Sequence, residues 1–277
     1  MQLSVRLESQ TRQKASRSSS QLHNRKRRRT SCLTAQTHTP HRLQASSRRT
    51  SASVTIVLAE EQHLIRQGIR CLLETEKDFK VVGDTGDGLQ AVGLVRRLRP
   101  RILVIAVAMP GLNGLDVTRQ VREQSPATAV VMLSMYSKEQ YVVQALRNGA
   151  AGYVLKRARP SELARAIRQV IAGHRYLSEP LSRWSIGTWL KRAETGARDA
   201  YDTLTDRERA VLQLVAEGHS STNIAARFGI SPRTVEAHRA SLMRKMRFSH
   251  LVDIMFFAIT RGILVRAPFE AHPRTGQ

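Results

Sequence analysis

The stretch 232-PRTVEAHRASLMRKM-246 divides into two chemically different faces if it is wound as a helix. At about 100° per residue, Val235, His238, Leu242 and Met246 fall on one side. Arg233, Glu236, Ala237, Ala240 and Arg244 fall on the other. Small side chains flanked by charge suit close approach to DNA base edges, with phosphate contacts around them. Arg239 and Lys245 extend the basic rim. Ala237 has the size to touch a thymine methyl, and Glu236 the chemistry to accept from a cytosine amino group. His238 has two readings, a structural hydrogen bond on the helix face or a phosphate contact.

A second set of polar groups stands at the ends of apolar runs. Glu60-Glu61 follow 54-VTIVLA-59, Ser134 ends 129-AVVMLS-134, and Tyr153 and Lys156 lie within 152-GYVLK-156. The run 102-ILVIAV-107 leads into Met109-Pro110-Gly111, yet its mouth, Ala106-Val107-Ala108, carries no polar side chain. Carboxylates, a hydroxyl and an ammonium therefore surround a strand end that offers only methyl groups.

The elements that position these groups follow from periodicity. With 80-KVVGD-84 as the second in order, five short aliphatic runs alternate with helical spacings. These include Leu64, Ile65, Ile69, Leu72 and Leu73 in the first helix and Leu163, Ile167, Val170 and Ile171 in the last. Consecutive βα units imply a five-stranded parallel sheet with helices on both faces. Its ligand crevice lies at the carboxyl ends of the strands. Towards the C-terminus the pattern is all helical. Thr205-x-x-Glu208 is a capping box, with Val211, Leu214 and Val215 inward and Gly218 at the end. A short helix over Thr222–Phe228 meets Gly229 at a left-handed cap. Ser231 then serves as N-cap and Pro232 as first helical residue. This is a helix-turn-helix spanning about Ser221 to Ala240. A final helix, Ser249 to Thr260, is too apolar all round for one buried face, so a partner is expected over Leu251, Val252, Met255 and Phe256. Between the two halves, a polar linker carries at most a short helix around Trp184 to Leu190.

Composition restricts the classes. The chain has 277 residues, 45 Lys and Arg against 22 Asp and Glu, and a formal charge of +23, which favours polyanionic partners. Residues 1–52 hold twelve Lys and Arg against one acid and almost no aliphatic residues, so they are expected to be disordered. Their 25-RKRRR-29 reads either as a nucleic-acid arm or as a solvated charge run. Cys32 and Cys71 make neither a disulfide framework nor a four-ligand zinc site. No apolar run approaches a membrane span, and no apolar segment follows the basic N-terminus to make a secretory signal. A cytoplasmic location is expected. No Ser-His-Asp arrangement, Gly-rich phosphate loop or metal-ligand cluster supports the competing reading, an enzyme on a flavodoxin-like fold.

The ordered strand ends, with Ala59-Glu60-Glu61, Arg66-Gln67-Gly68, Ala108-Met109-Pro110-Gly111 and Gly149 to Lys156, resemble the receiver domain of bacterial two-component response regulators over about Val54 to Ala172. Leu204-Thr205-x-Arg207-Glu208, Ile230-Ser231-x-x-Thr234-Val235-x-x-His238 and Lys245-Met246 resemble the LuxR-type domain of the NarL/FixJ family. The resemblance implies a doubly wound, flavodoxin-like α/β receiver joined to an all-α helix-turn-helix domain. It adds Thr234 to the DNA contacts and makes the last helix a homodimer element on double-stranded DNA. It also implies that Glu60 and Glu61 stand at a Mg²⁺-binding acidic pair, Ser134 and Lys156 at the phosphoryl contacts, and Tyr153 at the moving aromatic.

The same resemblance implies that the phosphoryl-acceptor position is Ala106, whose methyl group neither accepts phosphate nor binds a metal. Asp84, Asp87 and Asp116 offer no clear rescue, His63 is expected at the surface, and Lys156 is expected to pair with Glu60 or Glu61. Any Mg²⁺ site is thus weakened, and a sensor histidine kinase is left open. So are a conventional phosphorelay with an altered or displaced acceptor, and control by protein level, a small ligand or a partner receiver. The expected boundaries are a basic tail over 1–52, a receiver-like domain over 53–173, a linker over 174–200, a DNA-binding domain over 201–266 and a tail over 267–277.

Overall fold

Strand residues that alternate between two apolar faces can only be satisfied by helices on both sides of a sheet. In the computed structural model, which describes residues 53–183, 187–189, 191 and 199–264, that is the arrangement. The two expected tails lie outside the described residues, as do Trp184 and Leu190; of their described neighbours, Gly187–Trp189 and Lys191 are helical. Strands β1 (Val54–Ala59), β2 (Phe79–Thr85), β3 (Ile102–Ala106), β4 (Ala129–Ser134) and β5 (Gly152–Leu155) run parallel in the order β2-β1-β3-β4-β5. Helices α1 (His63–Glu74), α2 (Gly88–Leu98), α3 (Gly114–Gln124), α4 (Glu139–Arg147) and α5 (Pro160–Ile171) connect and follow them. Ile56, Ile102 and Val104 pack with Leu73, Leu163 and Ile167 of α1 and α5. Val57, Leu103 and Ile105 pack with Ala91, Val117 and Val142 of α2, α3 and α4. Each of these side chains except Ala91 contributes roughly 1.5–3 kcal/mol of transfer free energy.

Two expectations are corrected. The sheet has six strands, because Tyr176–Leu177 (β6) pairs in parallel with Gly152 and Tyr153. Its pairing continues through bonds from Tyr176 N to Ala151 O and Ser178 N to Tyr153 O. A two-residue strand in polar surroundings leaves no alternation to read. Leu64 and Ile65 do not face inward: Leu64 is 84% exposed and Ile65 36%. Nine residues at about 100° each put Leu64 on the opposite side of α1 from buried Leu73.

The loop after β3 is held close to both its neighbours. A Cβ on Gly114 would lie 2.0 Å from the Ala106 carbonyl oxygen, and one on Gly88 would lie 1.7 Å from that of Leu112. Only glycine permits these approaches.

After a 3-10 turn (Ala200–Thr203) come α6 (Asp206–Ala216), α7 (Ser221–Phe228), α8 (Pro232–Met246) and α9 (Leu251–Arg261). Thr205 and Glu208 form the capping box, Gly229 is left-handed at φ 65°, and Ser231 caps α8 ahead of Pro232. Val211, Leu214, Ile224, Val235, Leu242, Ile254 and Ala258 make the core. Helix α6 is buried from Glu208 through Ala216. One domain core cannot cover a helix on all sides, so its outer face meets the receiver-like half.

Candidate functional site

A pocket of about 310 Å³ opens where β1, β3 and β4 end, lined by Glu60, Glu61, Val107, Ala108, Ser134 and Lys156 among others. Parallel register explains the gathering. Ala59 pairs with Ile105, and Ser134 with Leu155, so the next residues, Glu60, Ala106 and Lys156, share one edge of the sheet. Glu60 is 1% exposed and holds Lys156 Nζ at 2.7 Å from its Oε2. Arg66 fastens the turn behind it, donating to Glu60 O at 2.6 Å and to Asp84 Oδ2 at 3.0 Å. Ser134 Oγ accepts from Tyr136 N at 3.0 Å, and the buried Tyr153 hydroxyl donates to Tyr136 O at 2.8 Å. Burial pushes the Tyr153 hydroxyl well above its ordinary range. Ala106 is itself 1% exposed.

The donors do not fit a tight Mg²⁺ site. Two carboxylates face the pocket, one is paired with lysine, and β3 supplies no side-chain oxygen. Among the described residues no group of three His, Cys, Asp or Glu gathers for a metal. Three aspartates of this half, Asp84, Asp87 and Asp116, are engaged elsewhere. Asp84 binds Arg66 and Arg70, Asp87 caps α2 and pairs with Arg227, and Asp116 is buried against Arg209. His63 is exposed at the start of α1.

On α8, Arg233, Thr234, Glu236, Ala237, Ala240 and Arg244 are exposed, while Val235 and Leu242 are buried. His238 and Arg239 are half-buried. Glu236 is held by the Ser221 hydroxyl, with Arg239 at 3.8 Å. Lys245 differs from its expected place on the basic rim, because its ammonium is spent on Glu208 Oε2 at 2.6 Å. Burial opposes ionisation of Glu208, but bonds from Lys245, the Thr205 backbone and hydroxyl, and Ser241 outweigh it and hold the carboxyl at about 2. A depressed carboxyl contributes stability that is present above the ordinary carboxylate range and lost as pH falls towards 2. Glu208→Gln is therefore expected to lower the melting temperature at neutral pH and to flatten its decline below about pH 4. Parallel acid melting curves for the two proteins would refute this.

On α9, Leu251, Val252, Phe256 and Ile259 are exposed, Phe256 by 73%, whereas Met255 is half-buried and Ile254 and Ala258 are buried.

Sequence reasoning missed how α6 grips the receiver-like half. Gln213 accepts from Asn113 N at 2.6 Å and donates to Met109 O at 2.7 Å. Glu217 accepts from Gly111 N at 2.9 Å. Arg209 Nη1 lies 2.8 Å from Asp116 Oδ1, both side chains 3% exposed. Asp116 Oδ2 also accepts from the Tyr201 hydroxyl and from Asn113 Nδ2. The loop whose first residues line the pocket is thus clamped on its far side by α6. The available signal was the spacing of Arg209, Gln213 and Glu217 at every fourth residue, one polar stripe beside the apolar one.

Residues 56–168 match the response regulator receiver domain, and residues 202–258 match the bacterial regulatory proteins of the luxR family. The oxygen regulatory protein NreC of Staphylococcus epidermidis is 30% identical over 214 residues, 76% of this chain and 98% of that protein. The nitrate/nitrite response regulator protein NarL of Escherichia coli is 35% identical over 199 residues, 72% of this chain and 92% of that protein. Among solved structures, a LuxR-family two-component response regulator from Aurantimonas sp. SI85-9A1 matches 48% of this chain and 94% of its own, at 30% identity and a TM-score of 0.46. With a receiver followed by a luxR-type domain, and relatives aligned over nearly their whole length, the chain belongs to the two-component response regulators that act as DNA-binding transcription regulators.

Proposed function

We propose that this chain reads specific DNA sites as a dimer through α8, under a receiver domain that works without phosphorylation at residue 106. The observation that carries the DNA reading is the exposed face of α8, with Ala237 and Ala240 at its middle and Arg233 and Arg244 at its ends. That pattern suits base-edge contact with flanking phosphate contacts. The absent acceptor is supported by Ala106 and by the Glu60–Lys156 pair, which gives the lysine a partner without a phosphoryl group. Any Mg²⁺ held by Glu60 and Glu61 is weakly bound. A sensor kinase has no acceptor at residue 106, so the input is protein level, a small ligand in the pocket or another receiver. No helix among the described residues is long and apolar enough to cross a membrane, and a cytoplasmic, nucleoid-bound protein fits the family.

Selection from a random duplex pool is expected to enrich one sequence with two related half-sites about 10 base pairs apart. Ala237→Glu should lose that preference, each good base contact being worth about 1–3 kcal/mol. Phe256→Glu, remote from the reading face, should abolish the preference for paired half-sites and halve the mass seen by light scattering. A pool that enriches nothing would sink the DNA reading, and unchanged mass and half-site preference in Phe256→Glu would sink the dimer.

A further inference from the structure

The receiver domain carries a basic patch that the DNA-reading helix does not account for. Arg96, Arg97, Arg99 and Arg101 lie in 96-RRLRPR-101, and all are exposed. Lys80 joins them through the sheet. It pairs in register with Thr55, whose hydroxyl accepts from Arg101 N at 3.1 Å. Phe79 and Val81 face the α1 and α5 side, so Lys80 between them turns to the α2 side. Leu98, packed 3.0 Å from where a Gly83 Cβ would stand, brings the end of α2 onto the same strand.

No described carboxylate pairs with any of the five. Acids on adjoining elements pair elsewhere: Glu76 and Asp78 with Arg168, Asp84 with Arg66 and Arg70, and Glu123 with Arg119. Other arginines of this domain are neutralised in just this way. The dipole at the end of α2 favours Arg96 and Arg97, but it falls off within a turn and does not account for Arg101 and Lys80 on the strands. Concentrated, unneutralised arginine is a surface for a polyanion.

We propose that this patch is a second DNA contact, a clamp on the phosphate backbone flanking the site read by α8. The proposal rests on the DNA reading above. Arg227, on the first helix of the helix-turn-helix, pairs with Asp87 at the start of α2, so the DNA-binding domain is seated at one end of that helix. The patch lies at the other end, about 15 Å along. In this motif the first helix crosses the DNA backbone. A flank of about five base pairs, at 3.4 Å each, spans the distance. No large apolar side chain is exposed in the patch, whereas an interfacial membrane anchor buries an apolar face.

The test measures binding of the full chain to an end-labelled mixed-sequence duplex of roughly 30 base pairs by anisotropy, from about 50 to 200 mM salt. The variant Arg96→Gln, Arg97→Gln, Arg99→Asn, Arg101→Gln uses asparagine where the backbone is left-handed (φ 43° at Arg99). It is expected to weaken binding about tenfold or more and to reduce the slope of log K against log salt by about 0.9 for each phosphate no longer neutralised. Replacing the same four arginines by lysine should keep the slope, because backbone contact needs charge rather than a guanidinium fork. If the fourfold variant does not unfold cooperatively, Arg96→Gln with Arg97→Gln on the helix surface should show about half the change. An unchanged slope overturns the proposal. So does loss of binding to phosphatidylserine vesicles with the DNA slope intact, which assigns the patch to membranes. Failure of α8 variants to alter sequence preference, with the patch effect present, would separate failure of the DNA reading from failure of the clamp.

Discussion

Ala106→Asp is expected to gain one phosphate from acetyl phosphate and Mg²⁺, where the unaltered chain gains none at this position. The register sets the geometry: one residue beyond the paired Ala59 and Ile105 stand Glu60 and residue 106, with Lys156 across the same edge. An aspartate there supplies both missing parts. Its carboxylate oxygen would attack phosphorus and displace acetate, and with Glu60 and Glu61 it would offer Mg²⁺ three carboxylates. In the unaltered chain, Lys156 is committed to Glu60 at 2.7 Å. A carboxylate at a position 1% exposed, beside two others, is costly without metal, so Ala106→Asp should melt lower than Ala106→Asn until Mg²⁺ is added. Intact mass before and after hydroxylamine reads the outcome, since an acyl phosphate is cleaved and a phosphoserine is not. A hydroxylamine-sensitive phosphate on the unaltered chain would show that another carboxylate accepts it. Asp84, Asp87 and Asp116 would then need to leave their arginine partners.

The second large effect belongs to the domain contact. Arg209→Ala is expected to destabilise the chain by about 3 kcal/mol, because removing one member of a buried ion pair leaves the other charged and desolvated. Arg209 does more than pair with Asp116. Its Nε donates to Leu204 O at 3.2 Å, and its guanidinium stacks over Tyr201 at 4.4 Å. Asp116 keeps the Tyr201 hydroxyl and Asn113, which bounds the loss from above. Calorimetry should resolve separate receiver and DNA-binding transitions in the variant. Arg209→Met with Asp116→Leu should cost less than Arg209→Ala alone, since no charge is stranded. A cost below about 1 kcal/mol for Arg209→Ala would place the pair with weak surface bridges and refute the latch. The latch matters for function because the loop it holds, Met109 to Asn113, continues directly from Val107 and Ala108 in the pocket. Occupation of the pocket has a short mechanical path to α6.

The local elements are legible because their signals are local. The Thr205–Glu208 box, Gly229, Ser231 and Pro232 fix helix ends within four residues of themselves, and α8 spans Pro232–Met246 as its caps require. The five main strands declare themselves by apolar runs, and Ala106 by its place in their order. Lys245 misleads because its face of α8 looks solvent-facing until Glu208 of α6 is placed beside it. Leu64 misleads because an apolar side chain near a helix start need not point inward.

What the amino-acid order determined alone was the parallel sheet, the helix-turn-helix and the methyl group where an acceptor would stand. The sheet and the helix-turn-helix depend on periodicity or caps over a few residues, and the resemblance to receiver domains marks Ala106 as the acceptor position. What only the tertiary structure decided was which polar groups meet: Arg209 with Asp116 across 93 residues of chain, Gln213 with the loop after β3 across 100, and Thr55 with Lys80 in register on one side and the Arg101 amide on the other. Nothing periodic connects such partners. A buried polar stripe and a solvated one read alike until packing removes the water from one of them.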